Sequence, residues 1–345
     1  MGTIRPCGFG QYRTERPLSP MRVPDGILKS VGFLVEVIRD SSGYDLDPFA
    51  TGFFVSIPGV SGGRFGCFVT ARHNLEEDDG TPTKRELAII VNKVGGGVIT
   101  LPQIDTNFWL HPTDRTADVA VLPINRDPNI DIAAIWFDDF IRRDELSTKH
   151  IGIGDEVYIP GLFTIAPGKQ RNMPIVRYGN IAMVPDEPIQ VGSGFADVYL
   201  VEARSIGGMS GSPVFVRETV GAKGRRGKPD GEPGEIHGLG KTYLLGLMHG
   251  HWEINESDLN KPRPRFDRLH GVNMGIAVVV PADKIIEIIN RPELKSKRDE
   301  FEENMRKSRI PIPDRARKKP KEDSITQSDF EDALKKASRK IPAKK

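Results

Sequence analysis

The sequence predicts an all-β protein of two six-stranded antiparallel β-barrels, followed by a C-terminal helix and a charged flexible tail. Two series of short apolar runs, separated by Gly, Pro and Asp, carry this prediction. Runs at this spacing are typical of barrels and sandwiches, and not of alternating strands and helices. The first series lies at 31–38, 52–57, 65–70, 87–94, 98–101 and 119–124, and the second at 156–159, 175–184, 198–202, 212–216, 243–248 and 275–280.

The composition is that of a soluble globular protein. Of 345 residues, 38% are hydrophobic and 28% are charged, and the formal net charge is +2. No stretch approaches the ~20 apolar residues of a membrane span, and residues 1–21 carry arginines without the apolar run of a secretory signal. The two cysteines, Cys7 and Cys67, are too few for a disulfide-rich secreted domain. We therefore expect a cytoplasmic protein with no membrane partner, with Cys67 in the core; a Cys7–Cys67 disulfide is the alternative.

The chain divides into an arm, a folded domain and a tail. Isoleucines at 285, 286, 288 and 289 follow Pro281 and predict an amphipathic helix. Residues 291–345 hold 18 Lys and Arg residues against 11 Asp and Glu residues and few aliphatics, which predicts a tail that is largely disordered or transiently helical. The predicted parts are an arm at 1–26, a folded domain at 27–290 and a tail at 291–345, with a capped local helix at 328–340 in the tail. Within the domain we predict a first lobe at 27–145, a second lobe at 150–280 and a helix at 281–290. A connector or short helix lies within 132–143, and a Gly/Lys/Arg-rich insertion at 217–241.

Residues 207–213, GGMSGSP, surround one serine with small residues and precede an apolar strand. A nucleophilic Ser210 needs this setting, because its hydroxyl must be accessible and nearby N–H groups must face a developing oxyanion. Glycines at 207, 208 and 211 permit backbone dihedrals that other residues avoid. An ordinary Gly/Ser/Pro turn is the alternative, since turns use the same residues.

Two upstream segments favour the catalytic interpretation. FVTARH at 68–73 is an apolar strand ending in His73, and TADVAVL at 116–122 places Asp118 at the start of another. The order His, Asp, Ser is one of the few in which this catalytic triad occurs. Each residue also has a structural alternative: His73 as a strand-end histidine with a satisfied hydrogen bond, and Asp118 as a turn cap.

With these motifs the sequence resembles a trypsin-like (chymotrypsin-fold) serine protease, closest to the bacterial branch that includes the HtrA proteases. The resemblance covers residues 31–290. Beyond the three motifs above, it rests on TGFFV at 51–55, GDEVYIPG at 154–161, RYGNI at 177–181, LGL at 245–247 and MGIAVVVP at 274–281. The chain departs from the family in having Met209 where secreted digestive relatives have an aspartate, and in having no recognisable PDZ domain after residue 290.

The resemblance implies a serine endopeptidase with its active site in the cleft between the lobes. His73 would be the general base, Asp118 would orient it, and Ser210 would be the nucleophile. The N–H groups of Gly208 and Ser210 would form the oxyanion hole. No metal or organic cofactor is required. The predicted substrate-binding residues are Arg204, Ser205, Leu247, Met248, His249 and Gly250.

Arg204 and His249 suggest a preference for an acidic residue on the amino side of the cleaved bond. Arg204 would lie at the base of the primary pocket, with His249 approaching from the wall, and two cationic groups would attract a carboxylate. Alternatively, Arg204 turns away to pair with Glu202 or Asp197.

Three function classes stay open from sequence. The first is an active peptidase acting on proteins or peptides, with a regulatory partner protein to restrain it. The second is a protease-fold protein that binds partners without turnover. The third is nucleic-acid binding through basic runs such as 315–321, although interrupting acidic residues disfavour it. A metal site at His249 and His251 is also weighed and disfavoured, because two histidines at this spacing are a weak signal and no nearby cysteine cluster completes a zinc set.

Overall fold

The computed structural model describes residues 23–308, except 42, 60–63, 78, 102–108, 111–113, 125–126, 192–193, 205–206, 219–220, 223–235, 238–240 and 256–270. The arm up to residue 22, most of the predicted insertion and the tail from residue 309, including the 328–340 helix, lie outside this description. Among the described residues, no helix combines the length and apolarity that a membrane crossing needs.

The first lobe is one eight-stranded sheet. Its strands follow the order β5-β4-β1-β2-β3-β7-β6, with β8 parallel to β2 and every other pair antiparallel. The bounds are β1 Val31–Asp40, β2 Gly43–Pro58, β3 Arg64–Thr70, β4 Leu87–Asn92, β5 Val98–Leu101, β6 Trp109–Leu110, β7 Ala120–Ile124 and β8 Ile135–Trp136. All six predicted strands are present among the described residues of this lobe, and two further two-residue strands, β6 and β8, extend the sheet to eight.

The second lobe contains the predicted six-stranded barrel. Its closed, antiparallel order is β10-β13-β18-β17-β14-β9. The barrel strands are β9 Glu156–Gly161, β10 Ile175–Met183, β13 Tyr199–Glu202, β14 Pro213–Arg217, β17 Thr242–Asn255 and β18 Gly271–Pro281; two small hairpins pair β11 Ile189–Val191 with β12 Gly194–Ala196, and β15 Gly221–Ala222 with β16 Ile236–His237. The connector between the lobes holds 3-10 turns at Phe137–Asp139 and Arg143–Glu145.

Three helices flank the strands: α1 Asp25–Leu28, α2 Ala282–Ile289 and α3 Pro292–Ser308. All four predicted isoleucines of α2 are buried, which confirms its amphipathic pattern. The sequence placed the end of the peptidase domain at residue 290 and expected at most transient helix beyond it, and α3 lies in that segment. Leu294 of α3 is fully buried. The ring of Phe301 meets the ring of Phe65 in β3 edge-on, with 6.0 Å between the ring centroids.

One apolar cluster joins the two lobes to the C-terminal helices. It includes Phe33 of the first lobe, Leu244 of the second and Ile285 of α2. A second cluster fills the barrel interior and includes Met209 and Met248. Burial of such side chains contributes about 1.5–3 kcal/mol each, so both lobes and α2 share one source of stability.

Cys67 is a free, buried thiol in β3, as predicted for a core residue. Burial raises the pKa of this thiol to about 12, so the reactive thiolate is scarce at neutral pH. Cys7 lies outside the described residues.

Gly246 is required where β17 passes close to β18. A Cβ at this position would lie 2.0 Å from the carbonyl oxygen of Val280, which is backbone and cannot rotate away. We predict that Gly246→Ala lowers the free energy of unfolding by roughly 1–3 kcal/mol, the usual effect of overpacking. Gly250→Ala, in the same strand with nothing within 4 Å, is the matched control. Equal urea midpoints for the two variants would contradict this packing argument.

Candidate active site

His73 lies in a one-turn 3-10 helix, Arg72–Asn74, directly after β3. Its backbone N–H donates to Asp118 Oδ1 at 2.9 Å, and its ring Nδ1 lies 2.7 Å from Asp118 Oδ2. The imidazole is 46% exposed while the Asp118 side chain is only 8% exposed. The buried carboxylate therefore holds His73 by one contact to its backbone and one to its ring, and the other edge of the ring stays accessible.

Ser210 completes a hydrogen-bonded line with these two residues. Its Oγ lies 2.5 Å from His73 Nε2 and 3.0 Å from the carbonyl oxygen of His249. A carboxylate accepts hydrogen bonds only, so the proton of neutral His73 is on Nδ1 and the lone pair is on Nε2. That lone pair faces the serine hydroxyl, which is the arrangement a general base needs.

His249 is a second imidazole on the same carboxylate. Its Nδ1 makes a short contact with Asp118 Oδ2, and its ring meets the His73 ring edge-on at 5.4 Å. The sequence placed His249 in the substrate pocket wall and gave no signal of this contact. The contact arises because β17 of the second lobe passes beside the segment that precedes β7 of the first lobe.

The two imidazoles account for the charge state of Asp118. Burial alone would raise the pKa of this carboxyl, but the neighbouring His73 and His249 rings hold it well below its usual range. The group is therefore an anion throughout the neutral pH range and is satisfied by three N–H donors.

Thr51 of β2 ties the serine loop of the second lobe to the first lobe. Its hydroxyl donates to the carbonyl of Gly208 at 2.7 Å and accepts the N–H of Leu162 at 2.9 Å. Its backbone N–H donates to the carbonyl of Ser210 at 3.0 Å. The Thr51 carbonyl in turn accepts the Thr70 hydroxyl at 2.8 Å. The position of Ser210 therefore depends on a buried polar side chain of the opposite lobe.

Glycine is required at two of the three positions predicted around the serine. Gly208 and Gly211 have φ values of +91° and +83°. A Cβ at Gly211 would also lie 2.2 Å from the Thr51 carbonyl oxygen. Gly207 differs from the prediction, because it has open space around it and does not adopt the left-handed region.

The predicted oxyanion donors have no competing partner. Within the described part of the chain, neither the N–H of Gly208 nor that of Ser210 donates to a protein acceptor. Both groups lie in the loop that carries the serine hydroxyl, so they remain available as the predicted donors.

The predicted substrate-binding residues separate into two groups. His249 and Gly250 are half-buried and Arg204 is exposed. The side chains of Leu247 and Met248, in contrast, are buried in the two apolar clusters, so they cannot line a pocket. Met248 instead supports the serine loop through its backbone: its carbonyl accepts the N–H of Gly211 at 2.8 Å.

Two further predictions concern Ser205, as a substrate-binding residue, and Asp197, as a possible partner of Arg204. Ser205 lies outside the described residues. Asp197, one of the carboxylates considered for Arg204, lies 4.0 Å from Lys284 Nζ.

His73 and Asp118 come from the first lobe, and Ser210 comes from the lobe with the closed six-stranded barrel. The fold is chymotrypsin-like. Asp118, His73 and Ser210, the three residues proposed from sequence as a triad, are in hydrogen-bond contact between the lobes.

Comparison with known proteins shows similarity at the level of solved structures. No family model matches the chain, and no curated protein matches it. Among solved structures, the chain is similar to the apo form of the MamO protease domain from Magnetospirillum magneticum, at 16% identity and a TM-score of 0.41. The match covers 76% of this chain and 96% of that one. Values this low transfer neither activity nor residue roles.

We predict that Thr51→Val destabilises the protein more than Thr51→Ser does. Valine has nearly the same shape but leaves the Gly208 carbonyl and the Leu162 N–H without this partner, at roughly 1–3 kcal/mol for each buried group. Serine keeps the hydroxyl and loses only a methyl group, at about 0.8 kcal/mol. Urea unfolding of both variants measures the difference. An unfolding midpoint for Thr51→Val at or above that of Thr51→Ser would disprove the linking role.

Proposed function

We propose that this protein is a serine endopeptidase that hydrolyses peptide bonds through an acyl-enzyme intermediate. The observation that carries the proposal is the hydrogen-bonded line from Ser210 Oγ through His73 to Asp118. A buried, ionised carboxylate, an imidazole with its lone pair on Nε2 and a hydroxyl at 2.5 Å are what general-base activation of a serine requires. The proposal requires no cofactor for hydrolysis.

In the first half-reaction, Ser210 Oγ attacks the substrate carbonyl carbon while its proton passes to His73 Nε2. Asp118 stabilises the resulting imidazolium. The N–H groups of Gly208 and Ser210 would stabilise the oxyanion, each by about 3 kcal/mol in the transition state. The C–N bond then breaks, and His73 returns the proton to the leaving amine, which leaves an ester on Ser210.

In the second half-reaction, water attacks the ester carbonyl and gives a proton to His73. The C–O bond to Ser210 breaks, the proton returns to the serine oxygen, and the new carboxylic acid leaves. His73 thus acts twice as base and twice as acid, which suits an imidazole because its neutral form accepts a proton on one nitrogen and its protonated form donates it.

For specificity, we propose a preference for Glu or Asp on the amino side of the cleaved bond. The exposed Arg204 guanidinium and the half-buried His249 ring are the two groups that would attract the carboxylate. A peptide-library cleavage profile measures this preference. Cleavage mainly after Arg, Lys or large apolar residues would contradict it.

We also propose a location and partners for this protein. It would be cytoplasmic, act on a protein or peptide substrate and be restrained by a regulatory partner protein. The nucleic-acid alternative depends on residues 315–321, which lie outside the described residues, and no contact favours it.

Labelling with a fluorophosphonate probe tests the nucleophile. We expect the wild type to label, Ser210→Ala to give no labelling, and His73→Asn to reduce the labelling rate by roughly 10²–10⁴-fold, the usual contribution of a general base. His150→Asn is the matched control, because Asn tolerates the φ of 55° at that position and His150 lies in the connector region.

Absence of labelling in a folded, monodisperse wild type would contradict the proposal and favour a protein that binds partners without turnover. Equal loss of labelling in His150→Asn would show that the effect of His73→Asn is not specific to the site.

A further inference from the structure

His73, Asp118 and His249 offer one ligand atom each, and these atoms lie within 4.8 Å of one another. Both imidazole Nδ1 atoms contact the same carboxylate oxygen, Asp118 Oδ2. Two imidazoles and one carboxylate form a ligand set that suits Zn²⁺ and related divalent transition metals, whereas Mg²⁺ and Ca²⁺ prefer oxygen ligands.

We propose that His73, Asp118 and His249 form a binding site for Zn²⁺, and that the bound ion holds the serine centre inactive. The site itself does not depend on proteolytic activity; its inhibitory effect rests on the proposed function. A sequence-based search cannot find this set, because its members lie at positions 73, 118 and 249 in two lobes.

The geometry requires only small movements. Zn–N and Zn–O bonds of about 2.0–2.2 Å place tetrahedral ligand atoms roughly 3.4 Å apart, and His73 Nδ1 now lies 2.7 Å from Asp118 Oδ2. The His73 and His249 side chains are 46% and 29% exposed, respectively, so each ring has room to move and solvent can reach the ion. Water would occupy the fourth position.

The chemistry balances without a further reactant. Each neutral imidazole moves its proton from Nδ1 to Nε2 by exchange through solvent and presents the Nδ1 lone pair to the ion, while Asp118 binds as the anion it already is. The ion takes the place of the N–H donors that now satisfy the carboxylate, so the buried charge stays paired.

Such an ion would suppress the proposed mechanism in two ways. With Nδ1 bound to the ion, the proton of the neutral His73 ring is on Nε2, so Nε2 has no lone pair to accept the Ser210 proton. Coordination also replaces the His73–Asp118 hydrogen bond that orients the ring. A chelator would restore the hydrogen-bonded line.

Metal binding is tested first without activity, in the full-length Ser210→Ala protein. Isothermal titration with Zn²⁺ should show a saturable site of one ion per chain, and Co²⁺ should report its coordination in the visible spectrum. In this background, His249→Asn and His73→Asn should each weaken Zn²⁺ binding at least ~10-fold. Loss of a residue that only supports a metal ligand already costs about this much affinity. Asparagine can keep a donor to Asp118 in place of Nδ1, so these variants retain the hydrogen bond while removing the ligand.

His251→Asn is the control, because His251 is two residues from His249 and is not a member of the three-residue group. Its Zn²⁺ affinity should equal that of Ser210→Ala alone. No saturable binding to a folded protein, or equal affinity with and without His249, would overturn the site.

Inhibition is tested second, by fluorophosphonate labelling with EDTA or with Zn²⁺. Wild type should label in EDTA and lose labelling in Zn²⁺, whereas the labelling rate of His249→Asn, whatever its value in EDTA, should change little with Zn²⁺. Zn²⁺ binding without any labelling in EDTA would support the site while contradicting the peptidase proposal. Labelling without Zn²⁺ binding would overturn the site and support the peptidase.

Discussion

The buried hydroxyl of Thr51 is the interaction on which the candidate site depends. It belongs to the first lobe, yet its partners are the Gly208 carbonyl and the Leu162 N–H of the second lobe. Ser210 must lie 2.5 Å from a histidine of the opposite lobe, and apolar packing alone is not directional enough to fix such a distance. Hydrogen bonds to a fully buried side chain are directional, and breaking them leaves unpaired groups in the interior.

Close packing reinforces the same contact. Gly211 brings the serine loop against the Thr51 carbonyl, where a Cβ would clash at 2.2 Å. Met209 is buried in the barrel core, so the residue before Ser210 anchors the loop from the other side. An apolar residue at position 209 is therefore part of how this chain holds its serine, in place of the aspartate of secreted digestive proteases.

The electrostatics of the site centre on Asp118. A carboxylate this buried would be unfavourable alone, and three N–H donors from His73 and His249 compensate for its desolvation. The second imidazole makes the site more than a Ser-His-Asp line. It anchors the carboxylate from the second lobe and supplies a third ligand for a transition metal, so the same contacts bear on both proposals.

The sequence by itself determined the six longer strands of each lobe, the α2 helix and the identity of His73, Asp118 and Ser210. Alternation, Pro and Gly positions and motifs can all be read along the chain. Tertiary structure alone decided the rest. The two short strands β6 and β8 carry too little local signal to predict. Leu294 lies in a highly charged segment, and only its burial identifies it as part of the core, whereas Phe301 in the same segment contacts Phe65 but stays exposed. Leu247 and Met248 were assigned to the pocket by their position in the chain, although their side chains are in the core. The roles of Thr51 and His249 depend on contacts between residues more than 100 positions apart, and no local pattern in a sequence encodes such a contact.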